Sequence, residues 1–145
     1  AEPAGELLLG ASGPIETDEG GRTGLPSVFA CGDVAAPWSA ERSRHVRLEH
    51  WTSAAEQAAS VARAILGREP RARPTPYFWS DQFGLRLQHV GSAGGWERIV
   101  LDGDETSLVA RYLAQDGRLV AALLVNRPQQ VGPVRRELAP ELLAA

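Results

Sequence analysis

Residues 68–76, REPRARPTP, limit the fold of this chain more than any other stretch. Three prolines in nine residues remove backbone donors and push the preceding residues into extended conformations. Neither a helix nor a central strand can run through them. The chain is therefore expected to fold as two pieces, residues 1–68 and 69–145, joined by a linker at 68–76.

The hydrophobic period changes across that linker. Ahead of it, Ala54, Ala58, Val61, Ala62 and Ile65 recur at three- and four-residue spacing, which predicts a helix over residues 52–66 with those side chains inward. Ser53 and Glu56 stand at capping-box spacing, Gly67 suits the C-terminal end, and Pro70 stops continuation. Beyond the linker, residues 84–90 alternate apolar and polar, the mark of a half-buried strand. Further strands are predicted at 98–101, 107–113 and 118–125, the last two forming a hairpin across the Asp116-Gly117 turn. A terminal helix is expected at 134–143, interrupted by Pro140. Strands followed by a helix make this second piece a small α+β unit.

The first thirty residues are rich in glycine and proline turns. They leave short strand candidates at 7–9 and 15–18, the latter ending in the Gly20-Gly21 turn. Residues 28–31, Val-Phe-Ala-Cys, form an apolar run stopped by Gly32-Asp33, as in a buried parallel strand. A carboxylate at the C-terminal end of such a strand sits where open α/β sheets bind ligands, and the glycine lets a ligand approach the backbone closely. A plain turn has the same sequence.

Composition narrows the function. With 43% hydrophobic and 23% charged residues in 145, collagen-like, coiled-coil and disordered chains are excluded. The apolar runs are too short to span a membrane, and no signal peptide opens the chain, so a cytoplasmic protein is expected. The single cysteine, Cys31, forms no internal disulfide. A net charge of -3 without any Lys disfavours nucleic-acid binding. His45, His50 and His89 show no metal-ligand spacing. No two glycines lie two positions apart and no Met occurs, so G-x-G-x-x-G is absent. A complete dinucleotide site is then not contained here, and the chain is expected to be a fragment of a larger protein.

Residues 22–35, RTGLPSVFACGDVA, resemble the second FAD-binding motif of the two-dinucleotide-domain flavoprotein reductases, T-x-x-P-x-h-F/Y-A-x-G-D, where h is apolar. Residues 47–57, carrying Leu48-Glu49-His50-Trp51, Ala54 and Gln57, resemble the L-E-H-W-x-x-A-x-x-Q signature of the ferredoxin reductases that serve oxygenases and some cytochromes P450. Residues 76–88 are similar to that family's P-x-F-W-S-D-Q…L-x-L-Q, and residues 120–128 to its hairpin and N-R-P segment. The four blocks follow in the family's order.

The resemblance implies an α/β closing segment of a two-dinucleotide-binding-domain FAD fold, followed by a small α+β C-terminal domain with an antiparallel sheet. It implies FAD as cofactor, NAD(P)H as co-substrate and a ferredoxin-type iron–sulfur protein as partner. Electrons would pass singly from the flavin after a hydride arrives, and the 145 residues alone would be inactive. Asp33, flanked by Gly32 and Val34, would hold a ribityl hydroxyl. The helix start at Trp51 and Thr52 would face the flavin pyrimidine edge and stabilise the negative charge of the reduced ring.

Several roles stay open at this level. Trp51 either borders the isoalloxazine ring or fills a core. His50 carries a proton or is held structurally. Glu49 lies near the nicotinamide or in solvent. Phe78 and Trp79 cover the flavin or staple two domains, with Asp81 and Gln82 fixing the turn. Cys31 reads as a buried small hydrophobe rather than a redox thiol. Arg42, Arg44 and Arg47 form a docking face for an acidic ferredoxin or a solvated surface. No histidine follows residue 89, so the acid–base pair of thiol-disulfide reductases is missing. Rival readings are a non-catalytic interaction or dimerisation module, and a flavin reductase of a small quinone-like acceptor. A homo-oligomer is compatible with each.

Overall fold

A computed structural model describes residues 2–6, 10, 12–40, 42–70, 74–92 and 94–138. The chain divides into two compact units, Ala1–Arg73 and Pro74–Ala145. The strand expected at 7–9 lies outside the described residues.

In the first unit, β1 (Ile15–Thr17) pairs in parallel with β2 (Ala35–Ser39), and β2 pairs antiparallel with the two-residue β3 (Arg44–His45). Between β1 and β2 the chain makes the Gly20-Gly21 turn, where the Asp18 carboxylate accepts the Gly20 and Arg22 N–H groups at 2.9 and 2.8 Å. A single helix follows, α1 (Trp51–Ile65).

Three expectations are corrected here. Residues 28–31 are no parallel strand: Phe29 makes one isolated antiparallel bridge to Arg22, and Cys31 is exposed. An apolar run becomes a ladder only where a neighbouring strand meets it, and here Arg22 is its sole bridge among the described residues. Secondly, α1 turns inward a face rotated from the predicted stripe. Ser53, Ser60 and Ala64 are buried and Ala54 and Val61 half-buried, while Ala58, Ala62 and Ile65 are exposed, Ile65 at 61%. That face meets the Gly20-Gly21 turn closely: a Cβ on Gly21 (φ +77°) would come 2.3 Å from Val61 Cγ2, and one on Gly20 3.1 Å from the Ala64 Cβ. The contact depends on the two glycines having no Cβ. Thirdly, the capping box is replaced. Helix α1 starts at Trp51, with His50 as its N-cap.

The second unit is a five-stranded antiparallel sheet of order β4-β5-β8-β7-β6. The strands are β4 (Tyr77–Gln82), β5 (Leu85–Gly91), β6 (Arg98–Asp104), β7 (Ser107–Leu113) and β8 (Leu119–Val125). Helix α2 (Val131–Leu138) packs on β5 and β8. Val90, Val109, Leu119, Ala122, Leu124 and Val134 form its buried core. The predicted hairpin is present as β7–β8, with a bulge at Tyr112/Leu113. Residues 77–82, for which no strand is predicted above, form one, joined to β5 across Phe83-Gly84. Tyr, Phe and Trp favour extended backbone, and those two turn residues both have positive φ (51° and 76°), as a two-residue hairpin needs.

Asn126 closes this sheet at one end. Its Oδ1 accepts the Arg86 N–H at 2.8 Å and its Nδ2 donates to the Thr106 carbonyl at 2.8 Å. The N-R-P segment thus ties the start of β5 to the turn before β7. No described helix is long and apolar enough to cross a membrane.

Candidate functional site

In the first unit, Gly32, Asp33 and Val34 form a short 3₁₀ turn leading into β2. Gly32 adopts φ +79°, and a Cβ there would meet only Ala54, at 3.9 Å. The space beside this backbone is open, and the turn packs against the first half of α1.

Two side chains clamp the turn. Gln57 Oε1 accepts the Gly32 N–H at 2.9 Å, and Gln57 Nε2 donates to Ser53 Oγ at 3.0 Å. From the other side, Arg47 Nε donates to the Asp33 carbonyl, while Arg47 Nη1 lies 2.6 Å from Glu49 Oε1. With the Gly32 donor and the Asp33 acceptor both engaged, the backbone of the turn is fixed. The Asp33 residue itself is exposed. Glu49 is therefore an ion-pair partner of Arg47, and it ties Arg47 into the same cluster.

The sequence signals for this clamp were partial. Gln57 stands in the helix signature but carried no assigned role, because the N–H that donates to it lies 25 residues away. Arg47 was grouped with Arg42 and Arg44 as a charged face. Arg42 and Arg44 are exposed, whereas the Arg47 side chain is only 18% exposed.

His50 caps α1. Its Nδ1 accepts the Ser53 N–H at 3.2 Å, and Thr52 Oγ1 lies 2.8 Å from the same nitrogen. That nitrogen is thereby committed to the helix start. Trp51 is the first residue of α1 and is 74% exposed, which removes the core reading for its indole within this unit. Trp51 and Thr52 thus open the helix at its positive end, on the same element that carries Gln57.

In the second unit, Trp79 lies on β4, 40% exposed, and stacks on Tyr77 with centroids 5.9 Å apart and planes at 21°. Phe78, on the opposite side of the strand, is also exposed. Asp81 and Gln82 organise the hairpin. Arg86 Nε and Nη2 donate to the two Asp81 oxygens at 2.9 and 3.2 Å, and these bonds hold the Asp81 carboxyl below its usual range. Gln82 donates to Ser80 Oγ at 2.9 Å. Gln88 is buried and donates to Tyr77 Oη at 2.7 Å, fastening β4 to β5.

Known proteins resemble this chain in sequence and fold. Residues 3–58 match the model of the family described as pyridine nucleotide-disulphide oxidoreductase, and residues 77–142 that of the family described as reductase C-terminal. The ferredoxin–NAD(+) reductase component of the anthranilate 1,2-dioxygenase system from Burkholderia cepacia is 36% identical over 127 residues, 86% of this chain. The chain spans only 31% of that relative's length. Among solved structures, the covalent putidaredoxin reductase–putidaredoxin complex superposes with a TM-score of 0.84 at 32% identity, covering 99% of this chain and 37% of that one. The ferredoxin reductase for the CYP199A2 system from Rhodopseudomonas palustris gives 0.77 at 30% identity, covering 86% of this chain and 32% of that one.

Proposed function

We propose that this chain, which belongs over residues 3–58 to the pyridine nucleotide-disulphide oxidoreductase family and over residues 77–142 to the reductase C-terminal family, contributes the closing segment of the FAD site and the C-terminal domain of a cytoplasmic NAD(P)H-dependent ferredoxin reductase. Residues 1–68 form that closing segment and residues 69–145 the C-terminal domain. The observation that carries this reading is the clamped Gly32–Val34 turn, with an exposed carboxylate beside open backbone.

These residues fit FAD. An exposed carboxylate accepts hydrogen bonds from a polyol chain, and the Gly32 backbone leaves room for one. When bound, FAD supplies the hydride acceptor and the single-electron donor, so the protein contributes position and electrostatics.

Asp33 binds a ribityl hydroxyl, with Gly32 and Val34 shaping its approach. Gln57 and Arg47 keep the carboxylate in place by holding the backbone on either side of it. The positive end of α1, at Trp51 and Thr52, favours negative charge on the flavin pyrimidine edge. His50 secures that helix end, and Glu49 orients Arg47. Trp51 borders the ring system. No side chain acts as a general acid or base. The partner is a ferredoxin-type iron–sulfur protein, the pairing named for the relatives.

The test is a chain in which a first dinucleotide half-site and an NAD(P) domain are fused upstream, assayed for NAD(P)H-dependent reduction of a ferredoxin. In that chain Asp33→Ala is expected to weaken FAD by about tenfold or more, the loss of a charge-assisted hydrogen bond. FAD affinity unchanged by Asp33→Ala overturns the assignment.

A further inference from the structure

We propose that β6 is a self-complementary sheet edge through which two copies of this chain pair, antiparallel and about a two-fold axis at Val100. The inference shares no residue with the flavin reading and stands or falls apart from it.

Strand β6 is the last strand of its sheet, and all seven of its residues are exposed. Ile99, Val100 and Leu101 are 41%, 42% and 65% exposed, a contiguous apolar run on an open strand. Natural sheets guard such an edge with proline, lysine, a bulge or an inward charge. Residues 98–102, Arg-Ile-Val-Leu-Asp, carry no proline and no lysine. The register shift described for this sheet lies between β7 and β8, where Val120 of β8 is the extra residue, and not on β6.

The order of residues names the occupant. When a strand pairs antiparallel with its own copy, opposed residue numbers have a constant sum, and opposed side chains share a face. With Val100 opposite Val100, Ile99 faces Leu101 and Arg98 faces Asp102 at both ends. Every pair then matches in kind: two ion pairs flank three apolar pairs. Gly103 and Asp104 continue the ladder to β7 beyond the self-paired stretch. Asp102, which lies 3.4 Å from Arg127 Nη1 in its own chain, would share its carboxylate with the incoming arginine. A shift of two residues, the smallest that keeps the same edge groups facing the partner, would place Val100 against Asp102, so the register is set by the sequence. The two-fold arrangement closes on itself and gives a dimer rather than a fibre.

The test uses the 145-residue chain. Sedimentation velocity is expected to show a reversible monomer–dimer equilibrium. Arg98→Asp and Asp102→Arg, each alone, set like charges opposite one another twice per dimer. Each is expected to weaken dimerisation by about tenfold or more. Mixing the two variants restores both ion pairs in a heterodimer, so the mixture is expected to recover association near the parent level. Circular dichroism of each variant checks that it is folded. In a Cys31→Ala background, Val100→Cys is expected to cross-link to itself. Leu101→Cys is expected to do so only when mixed with Ile99→Cys. A chain that stays monomeric, a mixture that fails to recover, or Val100→Cys cross-linking no faster than Arg118→Cys would each overturn the proposal.

Discussion

The two units of this chain are held together by different means. Among its described residues the first buries mostly small side chains, with Ile15 the largest buried apolar residue beside Ala35, Ala36 and Ala64. Its order comes from close backbone approach and from long-range polar ties: Gly20-Gly21 against α1, Arg22 to the Ala64 carbonyl, and Gly32 to Gln57. The second has a true apolar core, in which Leu124, Val90, Val109 and Val134 are fully buried between one face of the sheet and α2. Burial of large aliphatic groups contributes roughly 1.5–3 kcal/mol each, so a unit with four of them needs few special contacts. A unit built on alanine and serine depends on contacts that admit no added atom.

That difference predicts separable failures, read by hydrogen exchange resolved along the chain. The largest effect is expected from Leu124→Ala, which should cost the second unit about 3–5 kcal/mol and leave protection in the first unit unchanged. Loss spread evenly over both units would show that they do not unfold separately. Gly21→Ala is expected next, at about 2–3 kcal/mol and confined to the first unit. The added methyl meets Val61 at 2.3 Å while the backbone holds a left-handed φ. A neutral result there would break the contrast.

The smallest effect separates the units by pH. Burial lowers the His89 pKa below its ordinary 6.5, because the sheet disfavours the imidazolium. Above the unfolded value both states are neutral at this ring and it contributes no pH slope. As pH falls below about 6.5, the unfolded chain takes up the proton first, and stability of the second unit declines until the folded ring also protonates. Denaturation midpoints measured between pH 7.5 and 5 should fall for the parent and fall less for His89→Gln.

Much of the second unit was legible before any coordinates, for a local reason. Strand period and turn chemistry lie within a few residues of one another, so the β7–β8 hairpin follows from alternation on either side of Asp116-Gly117. The helix α1 was legible too, since its period is equally local. The strand at residues 77–82 was missed because its aromatic run was read through its likeness to a family motif rather than through its propensity for extended backbone. In the candidate site, Gly32 and Asp33 were legible as a pair, whereas the clamp around them was not. Gln57 reaches Gly32 and Arg47 reaches the Asp33 carbonyl across 25 and 14 residues, and no spacing rule spans such distances.

The sequence alone therefore determined where the long helix and the strands after residue 84 lie, and which carboxylate stands beside a permissive glycine. Only the tertiary structure decided which face of α1 turns inward. Ala58, Ala62 and Ile65 of the apolar stripe stay outside, while Val61 and Ala64 meet two glycines that leave no room for an added Cβ. It also decided that β6 ends its sheet with an open edge. Period and propensity are written in neighbouring residues. Choice of face and of edge depends on which distant backbone comes close enough to exclude everything else.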